Sequence, residues 1–111
     1  MNLYSETTGS GPDVVLLHGW GLNSAVWQDT AQELAREFRV TVLDLPGHGR
    51  SGHSGPYTLQ QLAQELVQHA PPQAVWVGWS LGGMAVLHIA AHYPQRVRKL
   101  ALVASTPRFV N

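Results

Sequence analysis

One serine in this 111-residue sequence stands in a pattern that activates hydroxyl groups. Gly78-Trp79-Ser80-Leu81-Gly82 fits the motif G-x-S-x-G, between the apolar run Ala74 to Val77 and a long apolar segment. A strand that leads directly into a helix makes a sharp turn that exposes the serine hydroxyl, and it needs glycines where side chains would collide. We therefore predict that Ser80 is a nucleophile and that Gly78 and Gly82 are structural residues of its turn. The alternative is a serine that caps a helix in a glycine-rich, phosphate-binding loop.

A second loop contains the groups that would stabilise the negative charge formed when a serine attacks a carbonyl. His18-Gly19-Trp20-Gly21 follows another apolar run, Asp13 to Leu17, and in a parallel sheet both loops would lie at one edge. An oxyanion hole needs two preorganised backbone N–H donors, and we expect them from Leu81 and Trp20. The indole of Trp20 would also wall an acyl pocket, with plain core packing as the alternative.

Other side chains of catalytic type fit a structural interpretation better. His18 ends a strand in a loop that must stay rigid, so we expect His18 and Gly19 to be structural, with His18 held by hydrogen bonds. Asp44, which opens the glycine-rich segment Asp44 to Ser51, is expected to accept backbone N–H bonds in a turn. His88 and His92 stand one helical turn apart, but no glutamate lies near them, which favours a helix surface or side-chain packing over a metal pair. No metal or cofactor is expected.

The strands that must position these residues are short apolar runs. We predict four of them: Asp13 to Leu17, Arg39 to Leu43, Ala74 to Val77, and Leu100 to Ala104. Near-continuous apolar runs are typical of parallel strands that are buried on both faces under helices. An initial hairpin is also predicted, with a strand from Leu3 to Thr7 and a turn at residues 9–12.

Three helical segments alternate with these strands. The first is indicated by one apolar face, made by Trp27, Ala31, Leu34, Ala35 and Phe38. The second runs from Leu59 to Ala70, with a capping box at Thr58 and Gln61. The third begins at Leu81, ends before Pro94 and is apolar almost all round, which predicts a buried helix. The order predicts an α/β fold, with a mostly parallel sheet and helices on both faces.

Composition excludes several classes of function. Seven basic and seven acidic residues give a formal net charge of zero, so no field selects nucleic acid or an anionic membrane. The absence of cysteine removes disulfides and thiolate chemistry. Residues Met1 to Gly11 lack the features of a signal peptide, and no apolar run approaches the roughly 20 residues of a membrane helix. We expect a soluble, cytoplasmic protein.

The motifs together resemble the α/β-hydrolase superfamily. The segments that carry the resemblance are LLHGWGLN, DLPGHGRS, VGWSLGG and HYPQRV followed by LVASTP. The pair HGWGLN and GWSLGG is most similar to the pimeloyl-[acyl-carrier protein] methyl ester esterases of biotin synthesis. The resemblance implies a cofactor-free serine carboxylesterase that acts on a carrier-linked or small ester, with Ser80 as nucleophile. It places Trp20 and Leu81 at the oxyanion and substrate contacts.

One departure from that family is large. The family places its triad aspartate and histidine after the nucleophile, whereas this sequence has no acidic residue after Ser80 and only His88 and His92 as histidines there. We therefore expect residues 1–111 to be a single partial domain, an amino-terminal half without the helical cap and the carboxyl-terminal triad region. We expect this chain alone to be inactive, with an exposed sheet edge through which it could self-associate.

Other hydrolases that share the serine turn are the alternatives. They would act on enol-lactones, aryl esters or carbon–carbon bonds of ring-cleavage products, or would be the eliminating synthase of menaquinone formation. A dehalogenase or epoxide hydrolase is disfavoured, because those families carry an aspartate where Ser80 stands. The alternative from another class is a non-catalytic half-domain that only binds.

Overall fold

The computed structural model of the chain describes residues 3–18, 27–45, 57–79 and 81–103, with Leu81 described in its backbone only. Within these segments lie five strands and three α-helices. In chain order they are β1 (Ser5–Thr8), β2 (Asp13–Leu17), α1 (Gln28–Leu34), β3 (Arg39–Leu43), α2 (Leu59–His69), β4 (Ala74–Trp79), α3 (Leu81–His92) and β5 (Val97–Val103). None of these three helices combines the length and the apolar character needed to span a bilayer.

The strands form one sheet in the order β1-β3-β2-β4-β5. Only β1 runs antiparallel to its neighbour, and the other pairings are parallel. β2 lies in the middle, with Leu17 paired to Leu43 of β3 and to Gly78 of β4. The predicted α/β class with a mostly parallel sheet is therefore confirmed.

Helices cover both faces of this sheet, as predicted. On one face Ala31 of α1 and Trp27, the residue before this helix, pack in a core with four strand side chains, which are Val14, Leu16, Val40 and Val42. On the other face α2 and α3 pack over a larger core, whose strand and loop members are Val15, Leu17, Leu43, Leu45, Ala74 and Trp76. Full burial of such a side chain stabilises the fold by about 1.5–3 kcal/mol, so these two cores fix the sheet between its helices.

Not all predicted boundaries are confirmed: β4 extends to Trp79 instead of Val77, β5 begins at Val97 instead of Leu100, and α1 is shorter than predicted. β2 and β3 have the predicted bounds, and α3 begins at Leu81 as expected. The helix face predicted from Trp27 to Phe38 is too long, because α1 ends at Leu34. The chain tightens there, since the Glu37 amide donates to the carbonyl oxygen of Leu34 at 3.0 Å, three residues back instead of four.

The predicted hairpin at the start of the chain is wrong. A short strand exists near the expected range, but β1 pairs with β3 and not with β2, because β3 and β4 already occupy both sides of β2. The turn between β1 and β2 packs instead on the connection from α1 to β3. Gly9 and Gly11 have positive φ values of 84° and 126°, and a Cβ on Gly9 would lie 2.6 Å from the carbonyl oxygen of Ala35.

Side-chain hydrogen bonds fix both ends of α2. The predicted capping box is confirmed: the Gln61 amide donates to the Thr58 hydroxyl at 3.0 Å, and the Thr58 amide donates to the Gln61 side chain at 2.8 Å. At the other end the Arg96 guanidinium donates to the carbonyl oxygens of Val67 at 2.6 Å and Pro71 at 3.0 Å. A cation at this position also suits the negative end of the helix dipole.

One side of the molecule presents apolar side chains to solvent within the described part of the chain. We call it the open side, and it consists of β5 together with Met84 and Leu87 of α3. β5 forms a sheet edge, and all of its residues after Val97 are exposed, including Leu102 at 47%. Met84 and Leu87 are 57% and 49% exposed.

Two expectations fail on the open side, and one is confirmed. The fourth predicted strand is not buried on both faces, and α3 is not buried all round, because described residues cover only one face of that helix. The expected unprotected edge at the fourth apolar run is confirmed by the position of β5. The apolar runs therefore predicted that these elements exist, but not which of their faces described residues cover.

Candidate active site

The three parallel strands that lead to the candidate site end in register. Leu17 of β2, Leu43 of β3 and Gly78 of β4 are direct neighbours across the sheet. The segments that follow them, beginning at His18 and at Asp44, therefore start from one edge. The strands that precede the two motif loops, β2 and β4, therefore end at one edge of the sheet, as the prediction requires.

A single residue separates β4 from α3. β4 ends at Trp79 and α3 begins at Leu81, so Ser80 occupies the strand-to-helix turn that the motif predicts. Ser80 itself lies outside the described residues, as do Gly19 and Trp20. The described backbone nevertheless places the Leu81 amide in the first turn of a helix, where N–H groups have no partner within the helix and the dipole favours negative charge.

Two glycines allow strand and helix to approach each other at this turn. A Cβ on Gly78 would clash with the carbonyl group of Gly82 and would lie 2.6 Å from the Gly83 nitrogen. A Cβ on Gly82 would lie 2.6 Å and 2.7 Å from the carbonyl oxygens of Leu17 and His18. α3 thus rests on the ends of both β2 and β4 without intervening side chains.

His18 is fully buried and bonded to a neighbouring loop. Its Nε2 accepts the Leu45 amide at 2.8 Å, so the ring must leave Nε2 unprotonated. The bond joins the chain after β2 to the chain after β3. This geometry supports the structural role predicted for His18, because an Nε2 already engaged with an amide is not free to take a proton.

The remaining titratable groups near these elements have local roles. Asp44 is 2% exposed, and its amide donates to the Tyr4 carbonyl oxygen at 2.9 Å. The role predicted for its carboxylate in the turn stays a prediction.

The His88 and His92 rings stack with centroids 4.1 Å apart, and His92 Nδ1 donates to the His88 carbonyl oxygen at 3.0 Å. Partial burial raises the pKa of Tyr57 above its usual value. Within residues 3–18, 27–45, 57–79 and 81–103, no cluster of three or more metal-ligating side chains occurs.

Two features beside the site were not predicted from the sequence. The Leu45 amide is the donor to His18, and backbone groups carry no residue-type signal. Trp27 and Trp79 form an edge-to-face pair with ring centroids 6.4 Å apart. The sequence shows that Trp79 directly precedes Ser80 and that Trp27 follows the His18 loop. Nothing in the sequence indicates that their rings are in contact.

Comparison with known proteins identifies relatives of the whole described region. A family profile described as alpha/beta hydrolase fold matches residues 12–110. The chain is 53% identical over 108 residues to a pimeloyl-[acyl-carrier protein] methyl ester esterase from Vibrio vulnificus (strain YJ016), covering 97% of this chain and 42% of that protein. A protein of the same name from Edwardsiella ictaluri is 48% identical, covering 96% of this chain and 42% of that protein.

Solved structures give the same picture of the fold. A thermophilic esterase from Thermogutta terrifontis superposes with a TM-score of 0.83 and 34% identity, covering 90% of this chain and 39% of that one. The enol-lactonase from Burkholderia xenovorans LB400 gives a TM-score of 0.81 and 27% identity, covering 88% of this chain and 41% of that one. The chain therefore spans less than half the length of the relatives it matches.

Proposed function

Because the chain belongs to the α/β-hydrolase family, we propose that it carries the nucleophile and the oxyanion hole of a serine carboxylesterase. The proposed substrate is pimeloyl-[acyl-carrier protein] methyl ester, whose hydrolysis frees a carboxylate. The observation that carries the proposal is the one-residue turn between β4 and α3, with its two close-packed glycines. Such a turn holds a serine hydroxyl clear of the sheet at the positive end of a helix.

The chemistry follows from where charge develops. The hydroxyl oxygen of Ser80 attacks the ester carbonyl, and the carbonyl oxygen becomes negatively charged. The amides of Leu81 and Trp20 would hold this oxyanion, and removal of one such donor costs about 3 kcal/mol of transition-state stabilisation. The carbon–oxygen bond to the methoxy group then breaks, methanol leaves with a proton, and water hydrolyses the resulting acyl-serine to the free acid.

A base is needed to take the proton from Ser80. His18 is engaged with the Leu45 amide, and His88 lies eight residues along α3, which is about 12 Å of helix. The sequence after Ser80 contains no acidic residue to orient a histidine. We therefore propose that the base and its acid partner come from the part of the relatives' length beyond the match, in the order Ser, Asp, His.

The substrate proposal rests on the names of the relatives at about half identity. The pimeloyl-[acyl-carrier protein] methyl ester esterases of Vibrio vulnificus and Edwardsiella ictaluri both match nearly all of this chain. The second candidate is a small enol-lactone, because the Burkholderia enol-lactonase shares the fold over 88% of this chain. The single partial domain and the cytoplasmic location stay predictions.

The direct test measures hydrolysis by the completed protein. We define it as this chain followed by the part of the Vibrio vulnificus relative that lies beyond the matched region. With the methyl ester of pimeloyl-[acyl-carrier protein] as substrate, we expect methanol release and conversion of the conjugate to the free acid. Mass spectrometry measures this conversion. An enol-lactone and an aryl ester serve as competing substrates, and a higher kcat/KM for either would overturn the substrate proposal.

The glycines of the turn give a second prediction. In the completed protein, Gly78→Ala and Gly82→Ala should each reduce stability by about 1–3 kcal/mol, because the added Cβ meets backbone that has no room to move. Gly83→Ala is the matched control: its Cβ would lie 3.4 Å or more from its neighbours, and alanine favours a helix by about 1 kcal/mol. Thermal unfolding of the three variants checks this, and a melting temperature for Gly82→Ala at or above that of Gly83→Ala would contradict it.

A further inference from the structure

Two histidines lie one turn apart at the carboxyl end of α3, far from the nucleophile turn at its start. His92 is the last residue of the helix and His88 lies four residues before it, so both side chains lie on one face. Their rings stack at an interplanar angle of 18°, with centroids 4.1 Å apart. Within the described part of the chain His88 is partly buried and His92 is exposed, which leaves the pair open to an ion from solution.

The hydrogen bond of His92 determines which of its ring nitrogens can bind a metal ion. Its Nδ1 lies 3.0 Å from the carbonyl oxygen of His88, and because a carbonyl oxygen only accepts, Nδ1 carries the proton. In the neutral ring Nε2 is then unprotonated and offers its lone pair. Histidines that ligate metals commonly donate their other ring N–H to a backbone carbonyl in this way, which orients the ring. His92 therefore has both the tautomer and the support of a metal ligand.

The separation of the two rings is close to the separation that one metal ion requires. Imidazole nitrogens bind Zn²⁺ at about 2.0–2.1 Å, which places two ligands of a tetrahedral ion about 3.4 Å apart. The ring centroids are 4.1 Å apart, so we expect side-chain rotation to bring one nitrogen of each ring to an ion without movement of the helix backbone. Two histidines four residues apart on one helix face are also the spacing of zinc ligands in the H-E-x-x-H motif.

The electrostatics at this end of α3 favour a cation. The carbonyl groups of the last turn of a helix carry partial negative charge. No lysine or arginine occurs from Leu81 to His92. The next cation along the chain is Arg96, and its guanidinium donates to carbonyl oxygens at the end of α2. A divalent ion at the histidine pair would therefore meet no like charge from its own helix.

We propose that His88 and His92 form a binding site for a divalent transition-metal ion at the carboxyl end of α3. Because the described segments hold no cluster of three or more ligating side chains, the two imidazoles are the protein ligands and water completes the coordination shell. Nitrogen ligands bind Cu²⁺ more tightly than Ni²⁺ or Zn²⁺, whereas Mg²⁺ requires oxygen ligands. The sequence alone favoured a surface or packing role for the pair, and the bond from His92 Nδ1 is the observation that it could not provide.

The test titrates the completed protein with Cu²⁺, Ni²⁺ or Mg²⁺ alone and follows binding by isothermal titration calorimetry. His88→Gln and His92→Gln should each weaken one Cu²⁺ site at least tenfold, and the double variant should lose no further site, because both changes act on the same ion. Ni²⁺ should bind the same site more weakly, and Mg²⁺ should not bind it.

His69→Gln is the matched control. The Nδ1 of His69 donates to the Glu65 carbonyl oxygen at 2.8 Å, the same bond that His92 makes, but no histidine lies one turn from it. This variant should keep the Cu²⁺ affinity of the unsubstituted protein. Thermal unfolding without metal should show that all the variants are folded.

Electron paramagnetic resonance of the bound Cu²⁺ separates a metal site from plain ring packing. The spectrum should show coupling to two imidazole nitrogens in the unsubstituted protein and in His69→Gln, and to one in each single variant of the pair. Unchanged Cu²⁺ affinity in His88→Gln and His92→Gln, or coupling to a single nitrogen in the unsubstituted protein, would overturn the proposal. Neither result would bear on the proposed esterase function, because His92 lies about 18 Å along the helix from Ser80.

Discussion

Ser80→Ala in the completed protein is expected to lower kcat by about a million-fold, to the residual acceleration that binding and the oxyanion donors provide, while the melting temperature stays unchanged. The hydroxyl oxygen of Ser80 is the attacking atom. Without it, the oxyanion donors can stabilise only the slow direct attack of water on the ester. The measurement is hydrolysis of a short p-nitrophenyl ester and of the carrier-linked methyl ester, with thermal unfolding of the same sample.

Ser10→Ala is the matched control, because Ser10 is an exposed serine in the turn between β1 and β2 and should keep full activity. A fluorophosphonate, which labels only activated serines, should modify the unsubstituted protein and the Ser10 variant but not the Ser80 variant. Activity of Ser80→Ala at a tenth of the original rate would contradict the assignment. Failure to label any serine would favour a non-catalytic binding half-domain.

The isolated chain of 111 residues is expected to lose both activity and a sharp unfolding transition. Among the described strands, none pairs with the outer edge of β5 on its open side, and the apolar side chains of Met84, Leu87 and Leu102 are about half exposed. Unpaired apolar edges associate with other chains, and each Å² of apolar surface left in water forgoes about 25 cal/mol. A whole domain is stable by only about 5–15 kcal/mol. Size-exclusion chromatography and thermal unfolding should show an oligomer, an aggregate or a broad transition.

Substitutions on the open side provide a stricter test, because they should favour the monomer in the isolated chain but lower the stability of the completed protein. Met84→Lys and Leu102→Lys should make the isolated chain more monomeric, since a charge opposes edge pairing. The same changes should destabilise the completed protein by several kcal/mol if these side chains are buried there. Gln64→Lys on the exposed face of α2 is the control and should do neither.

Two outcomes would contradict this account of the isolated chain. A monodisperse monomer with a single sharp transition would show that the open side needs no cover. Ester turnover by the isolated chain that is lost in Ser80→Ala would show that one of its own histidines acts as the base. His18, His48, His88 and His92 would then be the candidates.

The fold could be predicted from the sequence wherever local patterns determine structure. The runs DVVLL and RVTVL gave the bounds of β2 and β3 because buried parallel strands need continuous apolar residues, and the Thr58–Gln61 box gave the start of α2. Pairing partners are not local. β1 lies next to β3, thirty-four residues away, as the Thr7–Thr41 hydroxyl contact of 3.0 Å shows, and no pattern around Thr7 indicates this.

The candidate site also combines features that local sequence determines with features that depend on tertiary packing. The turn at Ser80 and its glycines lie within five consecutive residues, so the motif contains the whole strand-to-helix geometry. The contact between Trp27 and Trp79 joins residues that are far apart in sequence, and it depends on how α1 lies on the sheet. The exposure of Met84 and Leu87 depends on what covers α3, which their own apolar character does not reveal.

The contact between β4 and α3 has a consequence for how this protein can diverge. Any amino acid replacement at Gly78 or Gly82 adds at least a Cβ, and that atom meets backbone on the other element. Every amino acid replacement at either position is therefore expected to strain the turn. Gly83, one position further on, has room for a methyl group and can drift. We therefore expect the separation of strand and helix at the nucleophile turn to tolerate less change in sequence than the position of Gly83 does.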